Sequence, residues 1–162
     1  MKQIENLNLY AGASCDLSGL RESDWAFVHA TKCIHYQILG WDRLSSEPDI
    51  NSPNYICYEK ENHLSLNWSN STPDQYSCCG PQTFIKVLNF IDKWLLDRNV
   101  LVQCDKGCSR SPTLCLLYLA KRYKTMPNDS YRSACIEFRK IMPEYIPDGI
   151  GLYVAANWNR IW

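Results

Sequence analysis

The pattern of apolar and polar residues changes period several times along the chain, and each change predicts a new secondary-structure element. Short apolar or alternating runs predict β-strands, whereas apolar residues repeated every three or four positions predict helices. On this basis we expect five strands, at residues 7–10, 25–29, 54–58, 64–68 and 99–102. Strands 25–29 and 99–102 are mostly apolar, so we expect them to lie in the interior of a sheet.

Four helices are predicted in the second half of the chain. The first begins at Gly80 and Pro81, because proline is favoured in the first turn of a helix. It continues through apolar positions at helical spacing: Phe84, Val87, Leu88, Ile91, Trp94 and Leu95. The others begin near Arg110, after a cap that includes Ser130, and near residue 150. The polar segment 31–54 is expected to be a long surface loop.

Strands that alternate with helices predict the fold class. We expect an α/β domain with a central, mainly parallel twisted sheet flanked by helices. The chain has 162 residues, of which 46% are hydrophobic and 21% charged, which is typical of a soluble globular domain. That length suits one domain with a single core, which we place at residues 1–162.

Charge and hydropathy exclude some partners. The formal net charge is zero, whereas proteins that bind nucleic acid usually carry a basic surplus, so we expect no nucleic-acid partner. The densest apolar run, 114–120, is too short to cross a bilayer, and the first seven residues hold no signal-peptide core. We therefore expect a cytoplasmic protein with no membrane partner. No spacing of His, Cys and Asp resembles a metal site, so neither metal nor cofactor is expected.

Nine cysteines are spread along the chain. Most are interpreted as reduced thiols buried in the core, since no pair has C-x-x-C spacing. A different interpretation is thiol-based redox or sulfur-transfer chemistry. Cys78, Cys79 or Cys108 could also trap an oxidised Cys104 as a disulfide if one of them lies near it.

The segment around Cys104 carries the strongest chemical signal. Strand 99–102 leads to Cys104, and five residues separate Cys104 from Arg110, where a helix is predicted. Gly107 permits a tight turn between them. Backbone N–H groups in such a turn converge on one point, and the N-terminus of the helix adds unpaired donors and a partial positive charge. The sequence therefore predicts an anion site in loop 104–110.

Three side chains of this segment have a predicted part in phosphoryl transfer. Cys104 is the nucleophile, because the field that binds phosphate also favours thiolate over thiol. Arg110 folds over the loop and binds two phosphate oxygens, and Ser111 hydrogen-bonds the Cys104 sulfur so that it leaves more easily in the second step. The residues expected to surround the phosphate are Asp105, Lys106, Gly107, Cys108, Ser109 and Arg110.

This segment resembles the active-site loop of the cysteine-dependent protein tyrosine phosphatase superfamily, in its branch of small dual-specificity phosphatases. The pattern of that family is His-Cys-x-x-Gly-x-Ser-Arg-Ser. The residues that match it are Cys104, Gly107, Ser109, Arg110 and Ser111. Gln103 stands where the family has His, so the hydrogen-bond support of the cysteine is altered.

Further segments are similar to small bacterial and phage phosphatases of this type. They are residues 6–10, 25–30, 64–68, 111–121 and 138–158. The resemblance implies a phosphatase-like fold, a phosphorylated protein or peptide as substrate, and a monomer. It implies hydrolysis of phosphotyrosine, with phosphoserine and phosphothreonine as further substrates.

The proton donor for the leaving alcohol is the open part of this prediction. The family uses an Asp on a separate loop, roughly thirty residues before the cysteine. Asp74 has the right residue type, but Asn70 stands where the bacterial group usually has an Asp. We predict that Asp74 is the acid; the alternatives are a slow enzyme without one, or Asp74 as a solvated charge. Asp105 is expected to point outward, because bound phosphate would repel its carboxylate.

Two functions from different classes follow from these residues. The first is a phosphatase that works through a cysteinyl-phosphate intermediate. The second is a module that binds phosphate in the same loop but hydrolyses it poorly, which Asn70 and Gln103 favour. Arg110 and Ser111 at the family positions argue against the redox interpretation.

Overall fold

The computed structural model of the chain describes residues 1–69, 73, 76 and 79–162. Its strands form one six-stranded sheet in the order β1-β2-β6-β3-β5-β4. The strands are β1 Lys2–Gln3, β2 Leu9–Ala13, β3 Trp25–His29, β4 Cys57–Lys60, β5 His63–Leu66 and β6 Asn99–Cys104. The four central strands are parallel, whereas β1 and β4 are antiparallel at the two edges. The predicted mainly parallel sheet is therefore confirmed.

Within the described ranges, five α-helices accompany the sheet. They are α1 Lys32–Leu39, α2 Gly80–Trp94, α3 Arg110–Tyr118, α4 Tyr131–Ile141 and α5 Asp148–Ala156. Helix α2 has Pro81 in its first turn, and the Ser130 side chain accepts a hydrogen bond from the Ser133 N–H at the start of α4. Both starts agree with the sequence prediction, because each depends on a local signal.

The core lies around β6 and α3. Residues Val100 to Cys104 are all buried, and every residue of α3 is buried as well. Helix α3 therefore lacks the solvent-exposed polar face that a surface helix has. The loop between β6 and α3 is therefore anchored at both ends in buried elements. No helix in the described part of the chain combines the length and apolarity that a bilayer crossing needs.

The surface loop predicted at 31–54 is wrong over its first part. Residues Lys32–Leu39 form α1, which ends at Gly40 in a left-handed conformation with φ of 71°. His35 is its one buried residue, so the segment shows almost no apolar periodicity. Thr31 at the N-cap and Gly40 at the C-cap were the available signals.

Strand β3 lies where it was predicted, whereas the other four predicted strands have different bounds and β1 was not predicted. Strand β5 covers His63–Leu66 rather than 64–68, and β6 covers Asn99–Cys104 rather than 99–102. Strand β2 covers Leu9–Ala13 rather than 7–10, and β4 covers Cys57–Lys60 rather than 54–58. The register pairs Ala13 with Cys104 across β2 and β6. The carboxyl ends of the parallel strands therefore meet at one edge of the sheet, which is where open α/β sheets bind ligands.

Candidate active site

The loop between β6 and α3 forms the floor of the site. Cys104 is the last residue of β6, Arg110 is the first residue of α3, and residues 105–109 connect them. In the described part of the chain, the backbone N–H groups of residues 106–109 have no acceptor. Unpaired N–H donors in a tight loop at a helix N-terminus form a binding site for an anion.

Gly107 makes the tight loop possible. Its φ is 73°, a left-handed conformation that residues with a Cβ seldom adopt. A Cβ at this position would lie 3.0 Å from the Ala13 nitrogen and 3.0 Å from the Gly12 carbonyl carbon. The loop therefore packs directly on the backbone of β2, and only glycine permits that approach.

A cavity of about 200 Å³ opens above the loop. Six of its eight described lining residues come from the loop itself: Cys104, Asp105, Lys106, Cys108, Ser109 and Arg110. The other two are Ile146 and Asp148, from the segment that leads into α5. The structure thus brings the predicted nucleophile and the predicted phosphate-binding side chains to one cavity.

Cys104 is almost completely buried and contacts Ser111. The Cys104 Sγ lies 3.5 Å from the Ser111 Oγ, and the Ser111 hydroxyl donates to the Gly12 carbonyl oxygen at 3.0 Å. In this arrangement the thiol donates toward Ser111. Rotation of the Ser111 hydroxyl would turn its proton toward a thiolate instead. The Ser111 hydroxyl thus lies beside the Cys104 sulfur, and its one proton has two possible acceptors, the Gly12 carbonyl oxygen and a Cys104 thiolate.

Arg110 is 2% exposed and is held by the backbone of the sheet edge. Its Nη1 donates to the carbonyl oxygens of Ala30 at 2.8 Å and Trp68 at 2.7 Å. Its Nη2 donates to Asp105 Oδ2 at 2.5 Å. The Nε–H of Arg110 is buried and has no partner among the described residues. A buried donor without an acceptor costs about 1–3 kcal/mol, and a bound phosphate oxygen would satisfy it.

The expectation that Asp105 points away from the site is wrong. Its side chain is about half exposed, but the carboxylate pairs with Arg110 and accepts a 2.5 Å hydrogen bond from the Thr31 hydroxyl. Partial burial acts to raise the pKa of Asp105, yet the hydrogen bonds from Thr31 and Arg110 outweigh it and hold the pKa below its ordinary value. The local attraction of Arg110 decides the orientation, because the buried guanidinium needs a counter-charge.

The segment before α5 supports the loop from the other side. The Ile146 N–H donates to the Cys108 carbonyl oxygen at 2.8 Å, and the Ser109 hydroxyl donates to the Pro147 carbonyl oxygen at 3.3 Å. Ile146 is 57% exposed at the cavity mouth. Sequence reasoning missed this support, because residues 38 positions apart are joined by tertiary hydrogen bonds that no local pattern reveals.

A second set of hydroxyl groups holds the loop from behind. The Thr113 hydroxyl donates to the Ser109 carbonyl oxygen at 2.8 Å and contacts the Tyr145 hydroxyl at 2.8 Å. Tyr145 in turn contacts the Tyr131 hydroxyl at 2.6 Å. The carbonyl groups of Cys108 and Ser109 thus both have fixed partners, which preorganises the loop before a ligand arrives.

Gln103 replaces the histidine of the family pattern and is fully buried. Its Oε1 accepts from the Ser14 hydroxyl at 2.9 Å, and its Nε2 donates to His29 Nδ1 at 2.9 Å. His29 Nε2 then donates to His63 Nδ1 at 3.0 Å, and His63 Nε2 lies 3.4 Å from Glu22 at the surface. Burial, aided by neighbouring His63, lowers the pKa of His29 to about 3. His29 is therefore neutral and belongs to a polar chain that replaces the single histidine.

Comparison with solved structures gives the same kind of fold. The chain superimposes on the crystal structure of DUSP15 with a TM-score of 0.61 and 18% identity, covering 93% of this chain and 83% of that one. It superimposes on the Yvh1 phosphatase domain from Chaetomium thermophilum with a TM-score of 0.62 and 19% identity, covering 98% and 95%. The chain has a DUSP-like phosphatase fold. The phosphatase-like fold implied by the loop is thereby confirmed.

A third solved structure with the same fold is named as phosphatase-like rather than as a phosphatase. It is a human tyrosine phosphatase-like serine/threonine/tyrosine-interacting protein, with a TM-score of 0.55 and 16% identity over 91% of this chain and 85% of that one. No protein-family model matches the sequence, and curated protein sequences give no significant match. The solved structures therefore show the fold of this chain, and its activity depends on the residues of the cavity.

The predicted proton donor Asp74 and the competing Asn70 both lie outside the described residues. Among the other predicted residues, Lys106, Cys108 and Ser109 line the cavity, and Gly107 shapes the loop below it. The described cavity holds the Cys104 thiol and the Arg110 guanidinium, above a loop whose N–H groups at residues 106–109 have no described acceptor.

Proposed function

We propose that this protein is a cysteine-dependent protein phosphatase, which hydrolyses phosphotyrosine monoesters through a cysteinyl-phosphate intermediate. The observation that carries the proposal is the buried, unpartnered Nε–H of Arg110 in the cavity that Cys104 lines. A phosphate oxygen is the acceptor that this donor lacks. A cysteine at the floor of the same cavity is then in position to react with the phosphorus.

The first step transfers the phosphoryl group to sulfur. The Cys104 thiolate attacks phosphorus, the S–P bond forms, and the bond to the leaving oxygen breaks. The charge that spreads over the equatorial oxygens faces Arg110 and the unpaired N–H groups of residues 106–109. These donors are already in place, so they need no reorganisation as the charge develops.

A proton must reach the leaving oxygen, and Asp74 remains our proposed donor. Its carboxyl group releases the proton as the P–O bond breaks, so that an alcohol leaves rather than an alkoxide. In the second step water attacks the phosphorus and gives a proton to the Asp74 carboxylate left by the first step. The S–P bond breaks, inorganic phosphate leaves, and both the thiolate and the Asp74 carboxyl group are regenerated. A hydrogen bond from Ser111 stabilises that thiolate as it leaves.

The cavity mouth favours an aryl phosphate. Ile146 is an exposed apolar side chain at the rim, fixed there by the hydrogen bond from its N–H to Cys108. An aromatic ring on the substrate would cover this side chain and remove apolar surface from water. Lys106, which also lines the cavity, adds a positive charge that attracts anionic substrates. Phosphoserine and phosphothreonine would gain less, because they lack the ring.

The same cavity is also compatible with a second function. A phosphate-binding module that hydrolyses poorly would keep Arg110 and the loop but lack an effective proton donor. The fold shared with a protein named phosphatase-like, together with Asn70 at the position expected for Asp, favours testing it. The two functions differ in turnover and agree in phosphate binding.

Hydrolysis of aryl phosphates by purified wild type, Cys104→Ser and Asp74→Asn separates these functions. We expect wild type to turn over and Cys104→Ser to bind phosphate without turnover, since an alcohol replaces the thiolate. Asp74→Asn should slow hydrolysis of phenyl phosphate by roughly a hundredfold. It should slow hydrolysis of an ester of an acidic phenol much less, because that phenol can leave without a proton.

Three results would change the proposal. Turnover by Cys104→Ser would exclude the cysteinyl-phosphate mechanism. Wild type that binds a phosphotyrosine peptide without hydrolysing it would be a binding module. Equal rates for wild type and Asp74→Asn on phenyl phosphate would remove Asp74 from the mechanism and leave the phosphatase itself intact.

A further inference from the structure

A groove adjoins the cavity above the phosphate-binding loop. Its first part has a volume of about 450 Å³, and Asp105 lines both this part and the phosphate cavity. Lys32, Tyr36 and Asp42 are among its other described lining residues. A second part of about 400 Å³ continues from it, with Tyr36 and Asp42 common to both parts and Glu47 further along. We call these two parts the side groove. A peptide whose phosphate occupies the first cavity could extend into it.

The aromatic wall of the side groove is fixed by its packing on the sheet. The Tyr36 and Trp41 rings meet edge to face, with centroids 5.6 Å apart. Trp41 also packs edge to face on the buried His35 ring at 5.6 Å, and His35 Nδ1 is hydrogen-bonded to the Ser65 hydroxyl of β5 at 2.9 Å. Asp42 follows Trp41 directly in the chain. Its carboxylate is therefore presented beside a wall that is already in place.

Two of the three described carboxylates in the side groove already have a cation. Asp105, where the groove meets the phosphate cavity, pairs with Arg110. Glu47 Oε2 lies 3.8 Å from the Lys32 Nζ and accepts a hydrogen bond from the Tyr36 hydroxyl at 3.2 Å. Lys32 Nζ also lies 4.7 Å from the centre of the Tyr36 ring. The one described ammonium group of the groove is thus already engaged by a carboxylate and a ring.

Asp42 is the carboxylate that is left over. It is exposed, and in the described part of the chain no hydrogen bond or ion pair engages its side chain. Beside it is the half-buried Trp41 ring, over which no described cation lies. A guanidinium group satisfies both features, because it carries the charge that a carboxylate binds and has a flat face that stacks on an aromatic ring.

We propose that the side groove is a subsite for an arginine of the substrate close to its phosphotyrosine, an inference that rests on the proposed function. The guanidinium of this arginine pairs with the Asp42 carboxylate and stacks on the Trp41 ring. Because the groove and the phosphate cavity share Asp105, the arginine lies within about three residues of the phosphotyrosine, a span of about 10 Å in an extended chain. The substrate class is thus a phosphotyrosine peptide with a neighbouring arginine.

The test is the kcat/KM of wild type for phosphotyrosine peptides that differ in one residue. Arginine, glutamine or glutamate is placed in turn at each position within about three residues of the phosphotyrosine. At the best position we expect the arginine peptide to exceed the glutamine peptide by about five- to tenfold, the effect of one exposed ion pair reinforced by one cation–ring contact. This preference should shrink at high ionic strength, because salt screens exposed charges.

Three variants make the outcome specific. Asp42→Asn should reduce the arginine-to-glutamine ratio of kcat/KM to about twofold or less, and the ratio cancels any general change in catalysis. Asp42→Lys should favour the glutamate peptide over the arginine peptide, since it reverses the charge. Asp97→Asn changes an exposed aspartate outside the lining of these cavities and should keep the wild-type ratio.

The results that overturn this proposal differ from those that overturn the phosphatase function. Equal hydrolysis of the arginine and glutamine peptides, or a ratio unchanged in Asp42→Asn, excludes the arginine subsite and leaves the phosphatase intact. Faster hydrolysis of the glutamate peptide by wild type would assign the groove to an acidic side chain on Lys32 and would also overturn it. If wild type hydrolyses none of the peptides, the phosphatase function fails. The dissociation constants of the same peptides then decide, and equal values for arginine and glutamine exclude the subsite as well.

Discussion

Asp105 and Arg110, five positions apart in one loop, form an ion pair in which Oδ2 and Nη2 lie 2.5 Å apart. The guanidinium is buried, whereas the carboxylate is about half exposed. The loop therefore carries its own counterion for the charge that is expected to bind phosphate. A phosphate dianion that binds to the Arg110 Nε–H arrives next to a carboxylate that already holds Nη2.

Replacing Asp105 with Asn tests this competition. The amide oxygen can still accept from Arg110, but the negative charge next to the phosphate is gone. We expect the inhibition constant of inorganic phosphate to fall about fivefold, which corresponds to about 1 kcal/mol for a partly exposed pair. Competitive inhibition of aryl phosphate hydrolysis measures it, with Asp97→Asn as the charge-matched control. Weaker phosphate binding in Asp105→Asn would show instead that Asp105 is needed to orient Arg110.

Gly107→Ala should damage the site through two effects that a control can separate. Alanine at φ of 73° is strained, and its Cβ would press on the β2 backbone at Ala13 and Gly12. Gly19 has φ of 82° with open space around it, so Gly19→Ala carries the strain alone. We expect a loss of about 1 kcal/mol in unfolding free energy for Gly19→Ala and about 2–4 kcal/mol for Gly107→Ala, with loss of phosphate binding in the latter. Urea unfolding and phosphate titration measure both; equal losses would mean that the loop moves aside without cost.

Ser111→Ala should make Cys104 less reactive. The Cys104 thiol donates to the Ser111 hydroxyl at 3.5 Å, and rotation of that hydroxyl would let it donate to a thiolate instead. A hydrogen bond to a charged group contributes about 1.5–3 kcal/mol. We expect iodoacetamide to alkylate Cys104 roughly tenfold more slowly at neutral pH, as followed by peptide mass spectrometry. The exposed thiols of Cys15 and Cys33 serve as internal references whose rates stay the same. A Cys104 rate that also stays the same would show that Ser111 donates only to Gly12.

The neutral state of His29 predicts how stability depends on pH. Its pKa is about 3 in the folded protein and about 6.5 when the chain unfolds, so between these values the unfolded state binds one more proton. Stability should therefore fall as pH decreases below about 6.5, by about 1.4 kcal/mol per pH unit. In His29→Gln this contribution should disappear, whatever the absolute stability. Urea unfolding at several pH values gives both slopes, and identical slopes would contradict the assignment.

The loop between β6 and α3 could be predicted from the sequence, because all its parts are contiguous in the chain. Strand β6, Gly107 and the start of α3 follow one another within a few residues, so local pattern was sufficient. Helix α1 was missed for the opposite reason, since it buries only His35 and has almost no periodic signal. The prediction that Asp105 points outward was also wrong. It considered only repulsion by bound phosphate, whereas hydrogen bonds from Thr31 and Arg110 set the orientation of the carboxylate.

The second half of the cavity depends on contacts that the sequence does not display. Ile146 and Pro147 are joined to the loop by hydrogen bonds with Cys108 and Ser109, which are far away in the chain. Likewise, Gln103 stands out as a departure from the family pattern, but its partner His29 is revealed only by the register of β3 against β6. Local pattern predicts elements, whereas packing between them completes a site.

The hydrogen bonds in the polar chain behind Cys104 all run the same way, from Gln103 through His29 to His63. The protonation of His63 therefore depends on the orientation of Gln103. The Gln103 amide group donates to His29 Nδ1, so His29 must carry its proton on Nε2 and donate to His63 Nδ1. His63 then carries its own proton on Nε2, toward Glu22. A rotation of the Gln103 amide would reverse the bonds from Gln103 to His29 and from His29 to His63, and would move the His63 proton to Nδ1, away from Glu22. The tautomer of His63, which nitrogen NMR can determine, therefore reports the conformation of Gln103 beside the Cys104 sulfur.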